Sequence, residues 1–333
     1  MSEKRNALFD LTRVIAAVGI ILSHVDLTSY GAWGALAGQF LSVRFPLMFF
    51  LAIIGFYVEK SCLTGKSPIR KRVLSLTRIY GVWSLVYLAL SFTMLVLIQK
   101  MPLGAYISSR VKSFFFSGSY YHFWFYPAVI YALLVIGGVK KILGNSALHF
   151  LTPLSLLLYT VGLLGTGYLP IGQKIPFLHY LYACKEFEAI MHLFFLGLPS
   201  VVFGMAAAHG TRKPSGRWVL AAAILYAAES IILCLLLGWR ENPQMLISTP
   251  FLTVLFLKWA QNSHLGETRF NTALLRTVSA GMYNVHPLIL AAFAIAAPAL
   301  SGPAAFLVCT VLSVFFGWML YRLRKIRIIS LFI

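Results

Sequence analysis

Acidic side chains are scarce in this 333-residue sequence, which contains 9 aspartates and glutamates against 28 lysines and arginines. Charged residues make up only 11% of the chain, whereas hydrophobic residues make up 59%. Soluble domains contain about 25% charged residues, so the composition argues against a soluble globular protein. The basic residues lie between apolar runs and form no separate arm, which argues against nucleic-acid binding and favours a membrane surface and an anionic ligand.

Cysteines are also few, and none of the four has a CxxC neighbour, which argues against a disulfide framework or a zinc site. We find no metal-ligand spacing among the histidines and expect no metal. A GxSxG elbow, a P-loop and a Rossmann fingerprint are all lacking. The sequence therefore gives no support to the common soluble hydrolase, nucleotide-hydrolysing or dinucleotide-dependent classes.

Apolar runs of about 20 residues recur along the chain, and this is the length that crosses a bilayer core of ~30 Å. We predict an all-α, polytopic integral membrane protein with about ten transmembrane helices in a single domain, residues 1–333. Asp10 and Arg13 interrupt the apolar run that a cleavable signal peptide needs, so we expect the first helix to be retained. The predicted spans are residues 9–28, 38–58, 74–98, 121–139, 148–165, 187–208, 217–238, 243–261, 274–297 and 303–322.

The basic residues favour one side of this topology. With ten spans, the basic loops after spans two, four, six and eight fall on the same side as both chain ends, and the opposite side has few cations. Removing one span would scatter the basic loops over both sides. By the positive-inside rule, both termini are expected in the cytoplasm.

Two ionisable residues interrupt the first span at a separation that places both on one face of a helix. Arg13 and His24 are eleven residues apart, which is almost three whole helical turns, so their side chains share one face about 16 Å apart along the axis. Considered alone, Arg13 fits a side chain that snorkels to the lipid headgroups, and His24 fits a hydrogen-bonded imidazole in the protein core. Their common face favours a function, because isolated ionisable groups cost ~2.5–3.5 kcal/mol in lipid.

The residue types suggest what such a face binds. An arginine near the cytoplasm can hold a phosphate, and a histidine deeper in the membrane can act as a general base. A ligand that touches both needs phosphates at one end, a long thin arm and a reactive group at the other. Acyl-coenzyme A has this shape, with a pantetheine arm of comparable length.

The opening stretch RNALFDLTRVIAAVGIILSH resembles the first helix of the membrane-bound acyltransferase type 3 family, whose motif of an arginine and a histidine separated by ten residues falls on Arg13 and His24. The resemblance covers nearly the whole chain. One departure is Ile54-Gly55-Phe56, where the family often has Ser-Gly-Phe. The other similar stretches are FPLMFFLAIIGFY, RKRVLSLTRIYGVW, YHFWF, LFFLGLPSVVFGM and YNVHPLIL.

The resemblance implies an O-acyltransferase of the bacterial cytoplasmic (inner) membrane that modifies surface polysaccharides. The co-substrate would be acyl-CoA, most commonly acetyl-CoA with succinyl-CoA as the alternative. The acceptor would be a hydroxyl of a surface or lipid-linked glycan. His24 would be the catalytic base, or would form a covalent acyl-histidine.

Further residues are candidates for the two ends of this site. Asp10 lies one turn before Arg13 and can share its face. The resemblance implies that Arg72 and Arg78 complete a phosphate site with Arg13, although Arg72 is equally typical of a topology signal that touches anionic lipid. The candidates for acceptor binding are His122, Trp124, Tyr283, His286 and Glu186.

Each acceptor candidate also has a structural interpretation. His122 and Trp124 fit an interfacial aromatic belt as well as a sugar site. His286 could orient His24, touch the acceptor or make a structural hydrogen bond, and it lies one turn after Tyr283. Glu186 fits a solvated surface as well as a contact with sugar hydroxyls.

Two other classes of protein fit ten helices with buried charge. The first is an exporter of polysaccharide or lipid-linked sugar, which would keep its flux without His24 and would turn over no acyl-CoA. The second is a non-catalytic membrane partner of an assembly complex, in which Arg13→Ala would affect only stability.

Overall fold

The computed structural model describes residues 6–184, 187–210, 213–236, 245–261, 270–297 and 299–333. Those ranges are helical and contain no β-strand, which suits a chain whose apolar runs can satisfy their backbone groups in lipid only within helices. The helices are α1 (Ala7–Ser23), α2 (Gly31–Ala35), α3 (Arg44–Leu63), α4 (Ile69–Phe92), α5 (Leu103–Phe116), α6 (Phe125–Leu143), α7 (Ala147–Leu164), α8 (Leu169–Gly172), α9 (Pro176–Tyr182), α10 (Phe187–Ile190), α11 (Leu198–Ala208), α12 (Gly216–Ile231), α13 (Ser248–Ala260), α14 (Thr272–Ala296) and α15 (Gly302–Leu323).

Among the described residues, seven helical segments are long and apolar enough to cross a membrane, which makes the chain a multi-pass membrane protein. One segment of 40 residues contains both α6 and α7, and two further predicted spans correspond to the shorter helices α1 and α13. The number of ten spans and the cytoplasmic termini remain predictions. The seven segments are Gly31–Leu63, Ile69–Ile98, Phe125–Leu164, Phe187–Ala208, Gly216–Leu236, Thr272–Ala296 and Gly302–Leu323.

Parts of two predicted spans lie outside the described residues, namely the end of span 217–238 and the start of span 243–261. Four of the membrane-length segments contain a π-helical turn, in which the extra residue per turn shifts the helix face that follows. These turns are Leu36–Leu41, Thr93–Ile98, Met191–Gly197 and Ile232–Leu236.

The chain forms two compact units, and the prediction of a single domain stays a prediction. The first unit consists of the residues up to Phe50 together with those from His209 to Leu331, and the second extends from Leu51 to Ala208 with Phe332. The boundary between the units falls within α3.

In the first unit, α1, α14 and α15 pack together around a buried apolar core. Ala17 and Ile21 of α1 meet Val278 and Met282 of α14 there, beside Cys309 of α15. A second contact holds α12 against the start of α13, because the buried Glu229 carboxylate accepts the N–H groups of Ile247 and Ser248 at 2.7 and 2.8 Å. This carboxylate replaces the side-chain cap that α13 lacks.

In the second unit, α6, α7 and α11 pack around the π-helical turn Met191–Gly197, and α4 packs against α6. An ion pair joins the buried Glu59 of α3 to the half-buried Lys140 of α6. The backbones of α3 and α11 approach so closely that a side chain at Gly55 would collide with the carbonyl oxygen of Val201. Gly55 is one of two residues, with Phe56, that this chain shares with the family's Ser-Gly-Phe stretch.

Two glycines set the distance between α14 and α15. A Cβ atom at Gly281 would lie 2.7 Å from the Cα of Gly317, and a Cβ atom at Gly317 would lie 2.6 Å from the Cα of Val278. Real Cβ atoms do not approach backbone atoms this closely, so any side chain here must push the helices apart. Small residues at helix crossings are how membrane helices pack without help from the hydrophobic effect.

Gly281→Ala is therefore expected to lower the midpoint of thermal unfolding by several degrees, because the whole helix contact must shift to admit one methyl group. The measurement is thermal unfolding of the purified protein in detergent. Gly138→Ala on α6 is the matched control, because nothing lies within 4 Å of a Cβ atom there. Equal midpoints for the two variants would contradict the close crossing of α14 and α15.

Candidate functional site

The first helix begins at a side-chain cap. The Asn6 side chain accepts hydrogen bonds from the N–H groups of Leu8 and Phe9 at 2.9 and 3.2 Å, as is typical of an asparagine N-cap. The same side chain donates to the carbonyl oxygen of Ala260 at the end of α13. This hydrogen bond connects the start of α1 to the end of α13 within the first unit.

One turn into α1, a single carboxylate contacts two arginines. Asp10 is fully buried. Its Oδ1 lies 2.6 Å from Nη1 of Arg13, and its Oδ2 lies 3.3 Å from Nη1 of Arg276 on α14. The spacing of three residues between Asp10 and Arg13 brings both onto one side of the helix. Two positive side chains thus flank one negative carboxylate at this end of α1.

At the other end of α1, two histidine rings stack. The helix ends at Ser23, and His24 follows as its C-cap. The ring of His24 lies 5.2 Å from the ring of His286 on α14, with 27° between their planes. His286 is fully buried, whereas His24 is exposed. An accessible imidazole and a buried one are thus in direct contact.

The buried ring is itself held by its own helix. Nδ1 of His286 lies 3.0 Å from the carbonyl oxygen of Met282. Since a carbonyl only accepts, Nδ1 must donate, which leaves Nε2 as the acceptor nitrogen of the neutral ring. Pro287 follows directly and supplies no N–H to continue the helical ladder. Tyr283, one turn before His286, has its ring 6.3 Å away.

The two ends of α1 therefore meet the same partner helix. Asp10 contacts Arg276 near the start of α14, and His24 contacts His286 ten residues further along, so α1 and α14 run side by side in the same direction. Eleven residues of helix separate Arg13 from His24 by about 16 Å. The structure places both groups along the side of α1 that faces α14.

The other two arginine candidates lie on α4 in the second unit. Arg72 is half-buried and Arg78 is exposed. Six residues correspond to 240° around a helix, so the two side chains leave α4 in different directions. Their assignment to the coenzyme phosphates remains a prediction.

The second unit also contains the aromatic candidates, but it does not place them as a matched pair. His122 is buried among rings, with Phe123 at 4.0 Å and Tyr87 at 5.2 Å. The half-buried indole of Trp124 stacks instead on His192, at 4.2 Å and 14°. One face of the indole is thus covered, and only its other face can meet a sugar. Glu186 lies outside the described residues.

Sequence reasoning missed two of these partners. It counted Arg276 only among the basic residues that precede span nine, and it gave His192 no role. No spacing within the helix marked Arg276, because ten positions separate it from His286 by 280° around the helix, whereas the eleven positions between Arg13 and His24 bring those two onto one face. Among the described residues, no group of three histidines, cysteines or acids could hold a metal ion.

Comparison with known proteins gives one broad match and three partial ones. Residues 6–322 match the family model described as an acyltransferase domain, of type 3. The chain is 26% identical over 184 residues to an amino-acid racemase from Enterococcus faecalis, and 26% identical over 179 residues to a serine/alanine racemase from Enterococcus gallinarum. These matches cover 55% and 52% of this chain but only 26% and 24% of the racemases. No solved structure matches the chain.

Asp10→Asn is expected to lower the midpoint of thermal unfolding, because it removes the negative charge that two neighbouring guanidiniums share. Combining it with Arg276→Gln should cost less than the sum of the single changes. Contacting charged residues typically couple by about 0.5–3 kcal/mol in such a double-mutant cycle. The measurement is the free energy of unfolding of all four proteins.

Glu188→Gln provides the control, since Glu188 is an exposed carboxylate and its loss should leave the midpoint within about a degree of wild type. Additive effects of Asp10→Asn and Arg276→Gln would show that the ion pair between these two residues does not stabilise the fold.

Proposed function

Because the chain belongs to the acyltransferase type 3 family, we propose that it is an integral membrane O-acyltransferase of the bacterial inner membrane. It moves an acyl group, most commonly acetyl, from cytoplasmic acyl-CoA to a hydroxyl of a cell-surface or lipid-linked glycan. The observation that supports this proposal best is the arrangement along α1 and α14, where a positive cluster at one end is separated by about 16 Å from a stacked histidine pair at the other.

The positive end suits the donor's nucleotide. Coenzyme A has three phosphate groups at one end of the molecule, and a guanidinium recognises phosphate through paired N–H donors. Arg13 presents such a group beside Asp10. The pantetheine arm then extends toward His24, which brings the thioester to the other end of the seam between the two helices.

The histidine end suits acyl transfer to oxygen. His24 takes the proton of the acceptor hydroxyl as that oxygen attacks the thioester carbonyl. The new C–O bond forms as the C–S bond breaks, and the coenzyme leaves as its thiolate, which takes up the proton from His24. His286 positions the base, because a buried ring fixed through Met282 stacks on His24 and limits its rotation.

Racemisation is not part of the proposal. The racemase relatives are matched over only about a quarter of their length. The activity that their names state therefore belongs to proteins that are much longer than the matched region. The model of an acyltransferase domain, in contrast, matches nearly all of this chain.

His24→Ala is expected to lower kcat for acetyl transfer by about 10²- to 10⁴-fold, which is the usual contribution of a general base. The assay is transfer of labelled acetyl groups from acetyl-CoA to glycan by the purified protein in lipid nanodiscs. The matched control is His149→Ala, because His149 is an exposed histidine of α7 without an assigned role. Transfer that survives His24→Ala at the wild-type rate would contradict the mechanism.

Trp124→Ala tests the acceptor end. We expect the KM for the glycan to rise by about 2- to 10-fold, in line with the stacking energy of one aromatic face, while the KM for acetyl-CoA stays the same. Trp218→Ala is the control, since Trp218 is an exposed indole of α12. A rise in both KM values, or in neither, would remove Trp124 from the acceptor site.

A further inference from the structure

Arg13 alone is a poor attractor of phosphate in this structure. Its Nη1 lies 2.6 Å from the Asp10 carboxylate, so at the distance of a ligand the two opposite charges largely cancel. Coulomb attraction for an incoming anion depends on the net charge of the group it meets. A phosphate site built on Arg13 therefore needs a second cation next to the same carboxylate.

Arg276 supplies that cation. It contacts the other oxygen of Asp10 at 3.3 Å, so each guanidinium has its own carboxylate oxygen. The side chain of Asp10 is 1% exposed, whereas those of Arg13 and Arg276 are 14% and 28% exposed. The negative charge thus lies beneath the two positive ones, and the accessible side of the cluster is positive.

The amino ends of α1 and α14 add to the positive electrostatic potential of this cluster. Asp10 is the fourth residue of α1 and Arg276 the fifth of α14, so the amino ends of two helices that run in the same direction lie at the cluster. Each helix has its positive dipole end there. Aligned amino ends next to two guanidiniums give the surroundings in which proteins bind phosphate groups.

We propose that Arg276 is a second phosphate-binding residue of the donor site, held beside Arg13 by Asp10. This inference rests on the proposed function, because it names the part of acyl-CoA that the cluster binds. The recognised chemistry is a phosphate ester, which a coenzyme and a lipid headgroup both contain. The coenzyme is the occupant that the neighbouring His24 and His286 pair favours, since they lie on the same two helices.

The test compares wild type, Arg276→Gln, Arg276→Lys and Arg322→Gln in neutral detergent and in nanodiscs that contain anionic lipid. Arg322 is the control, because it is an arginine near the end of α15 whose guanidinium stacks over the ring of Trp318. Two quantities are measured for each protein. They are the KM for acetyl-CoA in glycan acetylation and the inhibition constant of adenosine 3′,5′-bisphosphate, which has phosphates but no thioester.

Arg276→Gln should raise both constants about tenfold or more, as expected for a lost charge-assisted hydrogen bond, and should leave kcat within about twofold. Arg276→Lys should raise them less, because it keeps the charge but loses the planar fork. Arg322→Gln should match wild type. These effects should be the same in neutral detergent and in anionic nanodiscs.

If the wild-type protein transfers acetyl groups, three results would overturn this inference and leave the proposed function intact. The first is unchanged KM and inhibition constants in both Arg276 variants. The second is a fall in kcat without a change in either constant, which is the signature of a purely structural role. The third is an effect confined to anionic nanodiscs, which would identify a lipid headgroup as the ligand. Absence of transfer by wild type would instead reject the proposed function itself.

Discussion

The contact of the buried Asp10 carboxylate with arginines from two helices determines how α1 lies against α14. A carboxylate is costly to bury, so a movement of α1 that separates Asp10 from Arg276 would remove one of the guanidiniums that stabilise its charge. The apolar core around Ala17 and Met282 fills the same seam further along. Polar contact and packing thus fix one register between the two helices.

That register decides where the two histidines lie. With Asp10 opposite Arg276, the end of α1 reaches the turn of α14 that contains His286, and the two imidazoles stack. A helix shifted by one residue would move His24 by 1.5 Å and rotate it by 100°, which would break the stack. The charged cluster at one end and the histidine pair at the other are therefore held at a fixed separation by the same two helices.

The fold itself was largely readable from the sequence, since long apolar runs bounded by basic residues leave few alternatives to membrane helices. The shared face of Arg13 and His24 followed from helical periodicity alone. The partners of those residues did not, because Arg276 lies 266 positions away from Asp10. A contact between such distant residues depends on helix packing, about which the spacing of residues within a helix contains no information.

The contacts of His122 and Trp124 also could not be predicted from the sequence, because they depend on how the helices pack. His122 and Trp124 are two residues apart, and the sequence allowed either a common sugar site or an interfacial aromatic belt. In the folded unit His122 is enclosed by Tyr87 and Phe123, whereas Trp124 turns to His192 at the π-helical turn of another segment. Such a turn changes the face that a helix presents, and nothing in the sequence MHLFFLG marks it in advance.

The most direct test of the account is a structure of the protein with a non-hydrolysable acetyl-CoA analogue in a lipid nanodisc. The account predicts coenzyme phosphates within hydrogen-bonding distance of Arg13 and Arg276, and the acyl group next to His24. A coenzyme bound elsewhere, with Asp10 and both arginines in contact only with each other, would contradict it.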